Sequence, residues 1–248
     1  MPTLQEAVNE FKRILEAAII ENGEAGKKSL ITSQRHTRLI HEAVKTSLVD
    51  NGIAEAQIHP SLGQSKGEIK LAGFLKKKSQ DITVFPVDVP GVKETIDQGF
   101  QEGKVDIYGM NLTERAVSIN VRSQLSSLGN NFDTLYERTF AEALNFHLRC
   151  PQMCLGEVYL IPVYEYDKYA VQKKQVAFFK GFKNVEKYLQ AFEAINGRVG
   201  TAGDFYKYER VCLLVVDFNR PIPKIYSTDD ALREDGLLAV DSTASLTI

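Results

Sequence analysis

The chain has 248 residues, of which 25% are charged, 44% are hydrophobic and 9% are aromatic, and its formal net charge is −2 at pH 7. These values are those of an ordinary globular protein, and they exclude a disordered, collagen-like or fibrous chain. No apolar run approaches the roughly 20 residues that a membrane-spanning helix needs, so we expect no membrane partner. Three cysteines, an odd and small number, favour a reducing compartment, and we expect a cytoplasmic location.

Helical periodicity dominates the start of the chain. Apolar residues recur at helical spacing over Leu4–Ile19, and Gly23 is a natural stop for this helix. The same spacing predicts a second helix from about Thr32 to Val49. We therefore expect residues 1–60 to form an N-terminal helical subregion.

Strand signals follow. Two strands are predicted over Gly67–Leu75 and Asp81–Val87, with Lys76–Gln80 as the turn between them. Residues 86–115 are rich in glycine and proline and are interpreted as an insertion or long loop that holds only short elements. Long loops in compact domains are often functional.

The second half of the chain alternates strands with helices. Val117, Ile119 and Val121 alternate with polar residues, which is typical of a half-buried strand. The order of elements predicts one α/β domain over residues 1–248, built on a mixed sheet that helices cover on both faces. The remaining predicted elements are a helix over Asn130–Leu148, a strand over Glu157–Tyr164, a helix over Asn184–Ile195, a strand over Val211–Phe218 and a short helix over Asp229–Gly236.

Three polar side chains stand where these strands begin and end. Asp81 opens one predicted strand, and Asn120 and Arg122 are two positions apart on another, so the latter two face the same side of the sheet. We expect all three to converge at the edge of the predicted hairpin. The sequence contains no Walker loop, dinucleotide fingerprint or nucleophile-elbow motif, so it does not indicate those classes of enzyme.

Two segments carry a resemblance to the PD-(D/E)XK nucleases, specifically to type II restriction endonucleases. Gly73-Phe74 through Lys78, followed by Asp81-Ile82, is similar to a G-F…K-x-x-D strand of some of these enzymes. Residues 120–124, with the sequence N-V-R-S-Q, then residues 127–132 and Arg138, resemble their E-x-K-S-Q…GNNF…R pattern. The resemblance covers roughly residues 65–165.

The resemblance implies a restriction-endonuclease-like central mixed sheet flanked by helices. It also implies Mg²⁺-dependent hydrolysis of phosphodiester bonds at a specific site in double-stranded DNA, carried out by a homodimer. Asp81 would be the main Mg²⁺ ligand and the Val121 carbonyl a further one. The catalytic set would be Asp81, Asn120, Arg122 and Gln124, with Arg122 stabilising charge in the transition state and Asn120 positioning water.

The chain departs from the family pattern at two positions. Asn120 stands where the family has glutamate, and an amide oxygen is a weaker Mg²⁺ ligand than a carboxylate. Arg122 stands where the family has lysine, and arginine stays charged, so it cannot act as a base. These departures leave open a catalytically inactive module that binds DNA or another partner with a nuclease-like fold.

The missing carboxylate has several candidate sources. Glu68 precedes the hairpin, and the helix after Asn120 offers Glu137 and Glu142, of which Glu137 is preferred. The aspartate itself also has an alternative, because Asp106 lies closer to Asn120 in the chain, at a comfortable hairpin spacing. Asp81 is preferred to Asp106 because its flanking residues carry the resemblance.

Overall fold

A computed structural model of the protein describes residues 2–179 and 185–246. Its helices are α1 (Leu4–Ser33), α2 (Arg35–Asp50), α3 (Met110–Thr113), α4 (Phe132–His147), α5 (Lys168–Gln172), α6 (Val185–Ala194) and α7 (Asp229–Glu234). Its strands are β1 (Ile58–His59), β2 (Ile69–Ala72), β3 (Lys77–Gln80), β4 (Ile82–Val84), β5 (Glu94–Thr95), β6 (Val105–Asp106), β7 (Val117–Ser123), β8 (Cys154–Pro162), β9 (Glu165–Tyr166), β10 (Phe178–Phe179), β11 (Arg210–Asp217) and β12 (Lys224–Ile225). The predicted start of the α6 helix at Asn184 lies outside the described residues.

A six-stranded mixed sheet forms the centre of the molecule, with the strand order β1-β4-β7-β8-β11-β12. The strand β7 is antiparallel to β4 and parallel to β8, and β8 is parallel to β11. The short edge strands β1 and β12 pair antiparallel with β4 and β11. Three two-stranded ribbons, β2–β3, β5–β6 and β9–β10, lie outside this sheet.

Helices cover both faces of the sheet, as the order of elements predicted. On one face, Phe11 and Leu15 of α1 and Ile40 of α2 belong to the same buried cluster as Leu214 and other sheet residues. On the opposite face, α4 and α6 join a second buried cluster with sheet side chains that include Tyr159. Each fully buried side chain of this kind contributes about 1.5–3 kcal/mol to the stability of the fold.

The first helix is longer than its sequence pattern predicted. Gly23 does break the helical backbone, with a φ of 57° and a ψ of −134°, but the helix resumes and continues to Ser33. A Cβ atom at this position would lie 2.9 Å from the carbonyl oxygen of Val171, so α5 approaches α1 where only glycine leaves room. Gly23 is therefore a bend at a packing contact and not the end of the helix.

The predicted hairpin is wrong in its turn and in its pairing, because β4, its expected second strand, pairs with β1 and β7 of the central sheet. Residues 77–80, expected as the turn, form the strand β3, which pairs with β2, whereas the turn lies at residues 73–76. Asn145 of α4 stabilises this turn, because its Oδ1 atom accepts hydrogen bonds from the Leu75 and Lys76 amides at 2.8 and 2.9 Å. A Cβ on Gly73 would collide with Asn145. This contact with a distant helix is invisible to a local sequence pattern.

The segment 86–115, interpreted above as an insertion or long loop, holds short elements, and it is tied to the body of the protein. It contains β5, β6 and α3. The buried guanidinium of Arg149, just after α4, contacts Glu94 Oε1 at 2.9 Å and Asp106 Oδ2 at 2.8 Å. The same guanidinium donates to the Ala72 carbonyl at 3.0 Å. We call these four residues the Arg149 clamp.

None of the helices in the described part of the chain combines the length and the apolar character that crossing a bilayer requires.

Candidate active site

Asp81 lies between β3 and β4, facing the middle of β7. Its Oδ2 atom accepts a hydrogen bond from the Val121 amide at 2.8 Å. Asp81, Asn120 and Arg122 line one cavity of about 280 Å³, which we call the site cavity. The structure therefore brings together the three side chains that the sequence placed at one point. The other residues that line the site cavity are Gln34, Thr37, His41, Lys78, Ser79 and Val121.

Asn120 is buried between two glutamates. Its amide group donates to Glu142 Oε1 of α4 at 3.2 Å and to Gln80 Oε1 at 3.3 Å. On the neighbouring parallel strand, Glu157 is the residue paired with Asn120. Both glutamates are almost fully buried. The neutral amide therefore has a carboxylate on the adjacent strand and another on the adjacent helix.

Arg122 joins these two glutamates. Its guanidinium donates a hydrogen bond to Glu142 and another to Thr139 Oγ1 at 3.0 Å, and it lies 3.3 Å from Glu157 Oε1. Burial lowers the pKa of Arg122, but the carboxylates of Glu157 and Glu142 outweigh burial and raise that pKa overall. The guanidinium is therefore a permanent positive charge. Lys78 forms a second ion pair with Glu142.

We call the group formed by Asp81, Asn120, Arg122, Lys78, Glu142 and Glu157 the cluster. Within it, Glu157 has the most unusual environment. It is 1% exposed, and neither of its carboxylate oxygens has a hydrogen-bond partner within the described part of the chain. Burial, to which the negative charges of Glu142 and Asp81 add, raises the pKa of Glu157 to about 8 despite the lowering effect of Arg122. At neutral pH the side chain therefore mostly keeps its proton, and a bound cation would favour its release.

The cavity continues into a region of positive charge. A cleft of about 530 Å³, which we call the basic cleft, shares Lys78, Arg122 and Glu142 with the cluster. Lys76 and Arg138 also line this cleft, and both are exposed. An extended anionic ligand in the cleft would therefore pass beside the buried carboxylates.

Glu68 and Val121, two of the predicted Mg²⁺ ligands, each line a cavity that Asp81 also lines. Glu68 lines a cavity of about 20 Å³ together with Asp81 and His41, which we call the inner cavity. Burial raises the pKa of Glu68, and the negative charge of Asp81 adds to this effect. Val121 lines the site cavity.

Gln124, Glu137 and Asp106 lie apart from these two cavities. The Gln124 side chain is buried, and its Oε1 atom accepts hydrogen bonds from Tyr159 at 3.0 Å and Tyr188 at 2.6 Å. Glu137 is exposed on α4 and is not a lining residue of either cavity. Asp106 is buried in the Arg149 clamp. Of the two aspartates, Asp81 is the one that lines the cavity with Asn120 and Arg122.

Sequence reasoning missed two members of the site. Glu157 was expected only as the start of a buried strand, yet a charged residue inside such an apolar strand is a recognisable signal of a functional or paired group. His41 gave no local signal, because it comes from the N-terminal helical subregion, to which the resemblance does not extend. It lines both the inner cavity and the site cavity.

Metal binding here would depend on few protein ligands. Within residues 2–179 and 185–246, no group of three His, Cys, Asp or Glu side chains is arranged to hold a metal ion. Mg²⁺ is commonly bound through only one or two carboxylates, with water and substrate phosphates completing its coordination. The donor set of Asp81 and the neighbouring glutamates fits that mode of binding.

Comparison of the chain with family models, with curated proteins and with solved structures finds no match. Any function assigned to this chain therefore rests on its own residues and geometry. Those residues are a set of carboxylates and cations, of which Lys78, Arg122 and Glu142 line the basic cleft and Glu157 is buried.

Proposed function

We propose that this protein is a Mg²⁺-dependent DNA endonuclease with a restriction-endonuclease-like core, which cuts double-stranded DNA at a specific site. The observation that carries the proposal is the position of Glu157. Its carboxylate lies on the strand beside Asn120, in register with it, and has no hydrogen-bond partner among the described residues. When a bound cation favours loss of its proton, it would supply, one strand away, the negative charge that the amide of Asn120 lacks.

The residues of the cluster would have different roles in cleavage. Asp81 and Glu157 would hold Mg²⁺, with Glu68 and the Val121 carbonyl as further candidate ligands. When bound, Mg²⁺ supplies Lewis acidity and lowers the pKa of a coordinated water. Arg122 and Lys78 provide fixed positive charge for the phosphoryl oxygens as negative charge grows on them. Lys76 and Arg138 in the basic cleft would contact the DNA backbone.

We also propose that the enzyme is a homodimer and that it acts in the cytoplasm. A palindromic recognition site would be read by a homodimer, because a two-fold protein matches a two-fold DNA sequence. The three cysteines are free, which is consistent with a cytoplasmic location. There the enzyme would act together with a DNA-modifying enzyme as a restriction-modification pair.

Cleavage of unmodified DNA tests the proposal, with the two aspartates as a matched pair. Wild-type protein with Mg²⁺ should cut unmodified bacteriophage and plasmid DNA into discrete fragments. Asp81→Asn should reduce cleavage to background, because the substitution removes the carboxylate that lines the cavity. Asp106→Asn should remain active at temperatures at which it stays folded, because Asp106 belongs to the Arg149 clamp.

Two results would overturn this assignment. One is full activity of Asp81→Asn together with loss of activity in a folded Asp106→Asn protein, which would move the metal site to the insertion. The other is the absence of any cleavage by the wild type with Mg²⁺ or Mn²⁺ on a broad set of unmodified DNAs.

A second candidate function is a catalytically inactive module that binds DNA or another partner. The observation that favours it is the mutual neutralisation of the cluster, in which Lys78 and Arg122 both pair with Glu142. Such pairing leaves less negative charge available for a cation. Salt-sensitive binding to duplex DNA without cleavage in either metal would select this function over the endonuclease.

A further inference from the structure

His41 lines the proposed active site and has a buried ring nitrogen that lacks a hydrogen-bond partner in the described part of the chain. The residue lies on α2, and its ring lines both the inner cavity and the site cavity. Its Nε2 atom is inaccessible to solvent and has no hydrogen-bond partner in the described structure. By contrast, both ring nitrogens of the buried His147 lie 3.1 Å from backbone carbonyl oxygens, those of Phe205 and Met153.

Some charged neighbours of His41 already form ion pairs and hydrogen bonds, which makes them less available to a ligand. The groups that act on it are Asp81, Lys45, Glu42 and Arg38. Lys45 pairs with Glu42 at 2.7 Å and donates to two carbonyl oxygens of the 61–64 loop. The other carboxylate oxygen of Glu42 accepts the Gly63 amide at 2.7 Å. Asp81 is thus the carboxylate that lines both cavities together with His41. Its Oδ2 atom accepts the hydrogen bond from the Val121 amide.

The inner cavity has the size of a single small guest. Its volume is about 20 Å³, and it is lined by three carboxylates, the imidazole of His41 and two cations, namely Asp81, Glu42, Glu68, His41, Arg38 and Lys45. A polar cavity of this volume accommodates one water molecule or one ion of similar size. The carboxylate of Asp81 and the imidazole of His41 are therefore available to the same guest.

We propose that His41 Nε2 is a nitrogen ligand, beside the Asp81 carboxylate, for the divalent cation of this site, and that the site consequently binds Mn²⁺ or another first-row transition ion more tightly than Mg²⁺ or Ca²⁺. The inference rests on the proposed function only in its use of Asp81 as a cation ligand. Imidazole nitrogen is a good ligand for transition ions and a poor one for Mg²⁺ and Ca²⁺, which prefer oxygen. Water and substrate oxygens complete the coordination, since the protein supplies few donors.

Direct Mn²⁺ binding tests this ligand without any measurement of DNA cleavage. Binding would be followed by the EPR signal of free Mn²⁺ in wild type, His41→Ala, His59→Ala and Asp81→Asn. His41→Ala should weaken Mn²⁺ binding by about 10–100-fold, with a much smaller effect on Mg²⁺ affinity measured by calorimetry. Asp81→Asn should weaken both. His59→Ala is the matched control, because His59 packs against Phe85 and lines neither cavity.

Pulsed EPR supplies a readout that a purely structural role for His41 would not produce. Mn²⁺ bound to the wild type should show modulation from a coordinated imidazole nitrogen, and His41→Ala should lose it while keeping the circular dichroism spectrum of the folded protein. Unchanged Mn²⁺ affinity in His41→Ala, persistence of the nitrogen signal, or no Mn²⁺ binding by the wild type would each overturn the proposal. A wild type that binds Mn²⁺ through His41 but never cuts DNA would confirm this inference and contradict the endonuclease function alone.

Discussion

At the scale of single residues, the candidate site places carboxylates where they lower the stability of the fold. Glu157 is ionised only with difficulty, because burial raises its pKa to about 8. In the unfolded chain the same side chain titrates near its ordinary value of 4.5. Between these two pH values the native state holds a proton that the unfolded state has lost, so the free energy of unfolding falls as the pH rises from about 4.5 to about 8.

Replacement of Glu157 by glutamine should therefore stabilise the protein and abolish its proposed activity. At pH 5 the Tm of Glu157→Gln should lie close to that of the wild type, and at pH 8 it should be higher by about 10 °C, because the variant has no buried charge to create. Mg²⁺ binding and cleavage should be lost. Calorimetric melting across this pH range measures the effect, and a Tm difference that does not change with pH would contradict it.

The period of a strand predicted that Asn120 and Arg122 share a face. Asp81 was placed beside them by the resemblance and by a predicted hairpin whose pairing is wrong. The sequence could not choose correctly between the glutamates of α4. Glu137 is exposed, and Glu142 is buried against Asn120 and Arg122. Polarity alone assigns both to the solvent side, and only the ion pairs formed after folding keep Glu142 inside.

At the scale of elements, most helices and strands follow from local patterns, and the exceptions arise from contacts between distant segments. Gly23 is a bend because α5 packs on it, and residues 77–80 form a strand because Asn145 stabilises the preceding turn. The Arg149 clamp is a third such contact. It joins the end of α4 to both strands of the insertion.

Removal of the Arg149 clamp should destabilise the fold without changing the residues that line the site cavity. Arg149→Ala leaves the 2% exposed carboxylate of Asp106 without its partner, so we expect the free energy of unfolding to fall by about 3–5 kcal/mol. Urea denaturation measures this change. The double variant Arg149→Met with Asp106→Leu should recover much of the loss, and a failure of Arg149→Ala to destabilise the protein would show that the clamp is not a buried ion pair in solution.

At the scale of the whole molecule, the net charge of −2 gives no general attraction for DNA, so binding depends on local clusters. The basic cleft is such a cluster, and its exposed members Lys76 and Arg138 lie beside the candidate site. The sequence contained both residues but could not show that they face one opening, because a β-turn carries one and α4 carries the other.

Loss of these two charges should weaken DNA binding uniformly across sequences. In Lys76→Ala/Arg138→Ala, the slope of log affinity against log salt concentration should decrease by about 2, since each phosphate contact contributes about 0.9. Fluorescence anisotropy at several salt concentrations measures the slope. Lys28→Ala, an exposed substitution on α1, is the control and should leave it unchanged. Equal slopes in all three proteins would exclude the basic cleft as the DNA-binding surface.

The central sheet has one further property, which concerns its biosynthesis. Its strands are arranged in space in the same order in which they occur along the chain. Each strand that leaves the ribosome therefore finds its neighbour already synthesised, and the sheet can grow by addition at one edge, from the N-terminus towards the C-terminus. A ribosome that stalls after β8 would leave the edge of β8 that pairs with β11 unpaired, and we expect such an exposed edge to favour aggregation of the nascent chain.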